Sequence, residues 1–120
     1  MRSVLLIAAL LLGATPVLGQ SLCVEPAVPM PLDGAAATAD QMRAAMAEAR
    51  NFIAQSGVYQ DCLMKEVEDA KSQATAGGQT FEPSLEANAR AKLDASMKAQ
   101  ERVGVTVNNA LAAYKNAHSH

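Results

Sequence analysis

Residues 38–78 read TADQMRAAMAEARNFIAQSGVYQDCLMKEVEDAKSQATAGG. Apolar or small side chains recur there at Met42, Ala45, Met46, Ala49, Phe52, Ile53, Ser56, Tyr59, Leu63, Val67, Ala70 and Ala74. Steps of three and four place them on one face of an α-helix. Arg43, Glu48, Arg50, Asp61, Lys65, Glu66, Glu68, Asp69 and Lys71 fall mostly on the opposite, solvated face. Thr38 stands three residues before Gln41, the pattern in which an N-cap hydroxyl and the N3 side chain satisfy each other's backbone amides. Asp40 adds negative charge at the positive helix end. Gly77-Gly78 supplies the residues best suited to the left-handed turn that stops a helix. A helix over 38–76 follows. Gly57 is its weak point and is expected to mark a kink or a close crossing by another segment.

The linker after Gly77 is short, which favours an antiparallel neighbour. Pro83 fits the first turn of a second helix, over 83–116. Its stripe runs through Leu85, Ala89, Leu93, Ser96, Met97, Gln100, Val103, Val107, Ala110, Leu111 and Tyr114. Two helices of matched length, each about 50 Å long at 1.5 Å per residue, make an all-α fold. The expected form is a long antiparallel hairpin over 38–117 with coiled-coil-like packing. Ser56 and Gln100 in the seam make the heptad irregular. The β-branched run Val103-Gly104-Val105-Thr106-Val107 is the expected point of interruption in the second helix.

Upstream, Arg2, the apolar run Val4 to Leu12, the Gly13/Pro16 break and Val17-Leu18-Gly19 have the form of a secretory signal peptide over 1–19. Val4 to Leu18 is shorter than the roughly 20 residues of a spanning helix, so no transmembrane segment is expected in the mature chain. The mature protein is expected to begin at Gln20 and to be exported, periplasmic or secreted. Pro26, Pro29, Pro31 and Gly34 make residues 20–37 extended, with polyproline character.

In an oxidising compartment Cys23 and Cys62, the only cysteines, can pair with each other. Cys62 lies about 36 Å up the first helix from Thr38, and the fourteen steps from Cys23 to Ala37 reach roughly 45 Å when extended. A Cys23–Cys62 disulfide would therefore pin the proline-rich segment as a strap running back along the first helix. Val24, Val28, Met30 and Leu32 are the expected strap contacts, with Tyr59 and Gln60 hydrogen bonding to its backbone. Closing such a loop is worth roughly 4 kcal/mol on the chain-entropy argument. A reactive thiol pair would want a short Cys-Cys spacing or a nearby histidine, and neither is present.

Function classes narrow by composition. About 100 mature residues suffice for one small domain. Removing Arg2 leaves nine of the ten Lys/Arg against twelve Asp/Glu, interspersed along both helices, with no basic stripe for nucleic acid. Two phenylalanines, two tyrosines and no tryptophan offer no base-stacking or sugar-binding platform. No serine elbow, phosphate loop or body histidine appears, so an enzyme and a cofactor are not expected, and no catalytic residue is assigned. His118 and His120 close the chain as His-Ser-His. With Met42 and Met46 one turn apart, they are the alternative reading, a small periplasmic transition-metal-binding protein. As two ligands on a tail over 118–120 they do not complete a closed site.

The run Cys-x2-Pro-x2-Pro from Cys23, followed by Thr38, Gln41-Met42, Phe52-Ile53, Ser56 and Tyr59-Gln60-Asp61-Cys62-Leu63, looks like small uncharacterised bacterial exported proteins. The likeness covers residues 23–63 and implies a common disulfide-strapped helical fold, with no activity to carry over. The hairpin also looks like the helical arms of periplasmic holdase chaperones, without their strand-rich trimerisation body. The expected function is a structural or protein-interaction module of the cell envelope. A second copy or another envelope protein would pack on Met42, Met46, Phe52, Ile53, Leu93, Met97 and Val103, residues that serve equally well as internal core.

Overall fold

The computed structural model of the protein describes residues 21–119. The expected signal peptide and His120 lie outside them. Two long helices, α1 (Ala39–Ala76) and α2 (Pro83–His118), form an antiparallel hairpin, and no strand occurs among the described residues.

The ends of α1 are set by local chemistry. Thr38 Oγ1 accepts from the Gln41 amide at 3.2 Å, and Gln41 Oε1 accepts from the Thr38 amide at 2.9 Å. At the other end Gly78 takes a left-handed φ of 64°, the Gln79 amide reaches back to the Ala74 carbonyl at 2.8 Å, and that of Gly78 to Thr75 at 3.2 Å. This Schellman closure needs glycine at its left-handed position. Pro83 opens α2, losing only an amide that has no intrahelical partner. Near the turn, Lys71 bridges to Glu86 at 3.0 Å and lies 5.4 Å from the centre of the Phe81 ring. Glu86 also accepts from Arg90 at 2.9 Å, and these hydrogen bonds hold its carboxyl below the usual range.

Buried positions on α1 are Met42, Ala49, Phe52, Ser56, Tyr59 and Leu63, and on α2 Ala89, Ser96, Ala99, Val103 and Ala110. Their steps of three, four and seven are those of a coiled-coil seam. Ala49, Phe52, Ala99 and Val103 pack as one cluster, with Val107 against it. Alanine and serine dominate the α2 side, so the large buried side chains come mostly from α1, where Met42, Phe52 and Leu63 each contribute on the order of 1.5–3 kcal/mol. The irregular seam position is bridged by polar groups. Gln60 Nε2 donates to Ser96 Oγ and to Gln100 Oε1, both at 3.0 Å, and Gln100 Nε2 donates to the Ile53 carbonyl at 3.0 Å.

Residues 21–33 form the strap, joined to α1 by the Cys23–Cys62 disulfide with Cα atoms 5.7 Å apart. It runs beside both helices, and Pro29 and Leu32 line a hollow of about 210 Å3 together with Ala45 and Ala49 of α1 and Val103, Thr106 and Ala110 of α2. A short 3-10 turn, η1 (Gly34–Ala36), then seats on α2. Gly34 comes so close that a Cβ there would stand 1.8 Å from the Ala110 carbonyl oxygen.

Four expectations change. The strap's inward residues are Cys23, Pro26, Pro29 and Leu32, whereas Val24, Val28 and Met30 are exposed. A polyproline helix repeats every three residues, so the apolar residues between the prolines turn outward. Gln60 bonds across the hairpin and not to the strap. Gly57 sits inside a continuous helix with open space where its Cβ would be. The 103–107 run is unbroken helix, because Val103 and Val107 pack into the seam and tertiary burial outweighs the small propensity deficit of β-branched residues.

Candidate functional site

Tyr59, Cys62 and Glu66 follow one another at steps of three and four, which puts them on one face of α1. Here the strap begins. Glu66 Oε2 accepts from the Ser21 hydroxyl at 2.8 Å and Oε1 from the Leu22 amide at 2.7 Å, while Ser21 Oγ accepts from the Cys23 amide at 3.2 Å. The strap's first residues are thus held twice, covalently through Cys62 and by charge-assisted hydrogen bonds through Glu66. Burial raises the Tyr59 hydroxyl above its ordinary pKa, and the negative charges of Glu25 and Glu66 add to the rise. The sulfur atoms of Cys23 and Cys62 and a Glu66 carboxylate oxygen all lie within 4.8 Å of one another, half-buried.

Towards the turn from this clasp the buried core of the two helices ends. No residue of α1 after Leu63 and none of α2 before Ala89 is buried. A groove of about 790 Å3 runs there between the helices. Leu63, Val67, Ala70, Leu85 and Ala89 give it an apolar floor; Ser21, Glu66, Gln73, Asn88 and Lys92 give it a polar rim. A smaller hollow of about 250 Å3 on another face of the seam is lined by Met46, Ile53, Val107 and Leu111.

The candidate contact residues divide accordingly. Met42, Phe52 and Val103 are core, with 2%, 4% and 7% exposure, and offer a partner no surface. Met46 and Leu93 are half-buried; Ile53 and Met97 are exposed. Val67, Leu85 and Glu66 were not among the expected contacts. Val67 and Leu85 were legible in the two stripes, but only the packing of the helices shows where burial along the stripes ends. His118 is exposed at the end of α2, stacked on the Tyr114 ring at 4.2 Å, with Nδ1 2.8 Å from the Tyr114 carbonyl oxygen. No helix among the described residues is long and apolar enough to cross a membrane. No family model, curated protein or solved structure matches this chain.

Proposed function

We propose that the protein is an exported, non-catalytic interaction module of the cell envelope, whose partner packs an amphipathic helix against the turn end of the hairpin. The supporting observation is that the apolar seam continues through Val67, Ala70 and Leu85 past the last buried residues of both helices. A two-helix layer buries one face of each helix and leaves the groove above it wet. A third helix laid there would cover Leu63, Val67 and Leu85 with side chains at three- and four-residue spacing. The rim carries both signs of charge, Glu66 and Lys92, which would fix the direction of the incoming helix. A disulfide and a leader of signal-peptide form are compatible with work in an oxidising compartment.

Sedimentation equilibrium of the oxidised protein over a wide concentration range tests the mode of contact. A discrete oligomer that Leu85→Lys and Val67→Lys both dissociate makes the partner a second copy. A monomer that crosslinks in the native envelope through a photoreactive residue at position 85, and not at exposed position 105, makes it another protein. A monomer crosslinking equally at both positions overturns the reading.

A further inference from the structure

The disulfide clasp contains the parts of a second, metal-based clasp. We propose that in the reduced protein Cys23, Cys62 and Glu66 bind one zinc ion, which replaces the disulfide in holding the strap to α1.

Cys62 and Glu66 are one helical turn apart on the same face, and the strap delivers Cys23 opposite them, so that two sulfurs and one carboxylate oxygen converge within 4.8 Å. Tetrahedral zinc with Zn–S bonds of about 2.3 Å sets its sulfurs about 3.8 Å apart. Once the S–S bond is broken, rotation about χ1 of each cysteine supplies that separation while the backbones stay in place. Thiolates with a carboxylate suit zinc, and a fourth ligand could enter from the groove that Glu66 lines.

Glu66 also binds the strap apart from the disulfide, through the Ser21 hydroxyl and Leu22 amide, contacts that would hold Cys23 near Cys62 after reduction. These two donors also orient the carboxylate in the way outer partners orient metal ligands. A carboxylate accepts about four hydrogen bonds, so Glu66 can keep both donors and still coordinate an ion. At the far end of the strap, Gly34 remains seated on Ala110.

The chemistry balances as follows. A dithiol reductant gives two electrons and two protons to the Cys23–Cys62 bond and becomes a disulfide itself. Zinc then displaces the two thiol protons to solvent as it binds the thiolates.

The test uses the full chain purified from the envelope, reduced and freed of reductant under argon, with cobalt(II) as the spectroscopic probe and zinc as competitor. The expected result is a thiolate-to-cobalt charge-transfer band saturating at one ion per chain and bleached by zinc. Oxidised protein should show none. Glu66→Gln should weaken binding by at least the roughly tenfold that loss of an outer partner alone causes, and Cys62→Ser should abolish the band. Zinc should also raise the Tm of the reduced wild type and leave that of the oxidised protein unchanged. Should reduction alone unfold the chain, zinc is expected to restore its helical circular dichroism. Absence of the band, equal affinity in Glu66→Gln, or failure of zinc to stabilise or refold the reduced wild type would overturn the proposal.

Discussion

The same chemical change, glycine to alanine, should have opposite effects at Gly34 and Gly57. At Gly34 the added methyl would lie 1.8 Å from the Ala110 carbonyl oxygen and 2.9 Å from its Cα. Ordinary contact begins near 3.4 Å, so η1 must retreat from α2 by about 1.6 Å, the difference between the two distances. The neighbour is helical backbone and cannot turn aside. Overpacking of this kind costs about 1–3 kcal/mol. At Gly57 the methyl meets nothing within 4 Å, and the residue lies in mid-helix, where alanine is favoured by about 1 kcal/mol. Urea unfolding of the oxidised proteins should therefore separate the two variants by about 2–4 kcal/mol, with wild type between them. In a domain of this length a loss of 2 kcal/mol lowers Tm by about 8–16 °C. Ala35→Ser, on the exposed side of the same turn, should stay within about 0.5 kcal/mol of wild type. The reasoning fails if Gly34→Ala matches wild type within about 0.5 kcal/mol, or if Gly57→Ala destabilises as much as Gly34→Ala.

Gln60→Leu removes the donor shared by Ser96 and Gln100, and should cost about 1–3 kcal/mol in urea unfolding; a neutral result would mean that water replaces it at the seam. Tyr59 is raised in the folded state, chiefly by burial and then by Glu25 and Glu66, so its contribution is complete below the unfolded value near 10 and is lost as pH rises through the folded value. The Tyr59 phenolate should accordingly appear later on raising pH in the folded protein than in urea, and Tyr59→Phe should flatten the alkaline limb of the stability curve. An unchanged alkaline limb in Tyr59→Phe would refute this.

The hairpin was legible because its signals are local. The Thr38–Gln41 box, the glycines at 77 and 78, Pro83 and the three-four stripe each act within a turn or two of chain. The disulfide pairing came from matching two lengths, the strap and the climb from Thr38 to Cys62. Facing along the strap was misread because an extended segment can repeat every two residues or every three, and the prolines at 26 and 29 choose three. Glu66 looked like one more solvated charge among Lys65, Glu68 and Asp69. Its role appears only when Ser21 and Leu22, more than forty residues earlier, arrive beside it. Gln60 escaped for the same reason, since its partners lie on the other helix. Gly57 and the 103–107 run were misjudged because both were weighed by propensity alone, whereas neighbouring turns and seam contacts keep each segment helical.

The loop closed by the disulfide, with a separation of 39 residues, ends before α2 begins. A chain emerging N-terminus first exposes both sulfurs while the 36 residues of α2 are still to come. Oxidation can then precede hairpin closure, fixing the strap beside α1 as a half-built trough. The second helix would dock last, into a preformed mould, with the Gly34 seat setting its register against Ala110. Along that route the order of emergence would coincide with the order of assembly, and the slow step of joining distant cysteines would be finished before the second helix is packed.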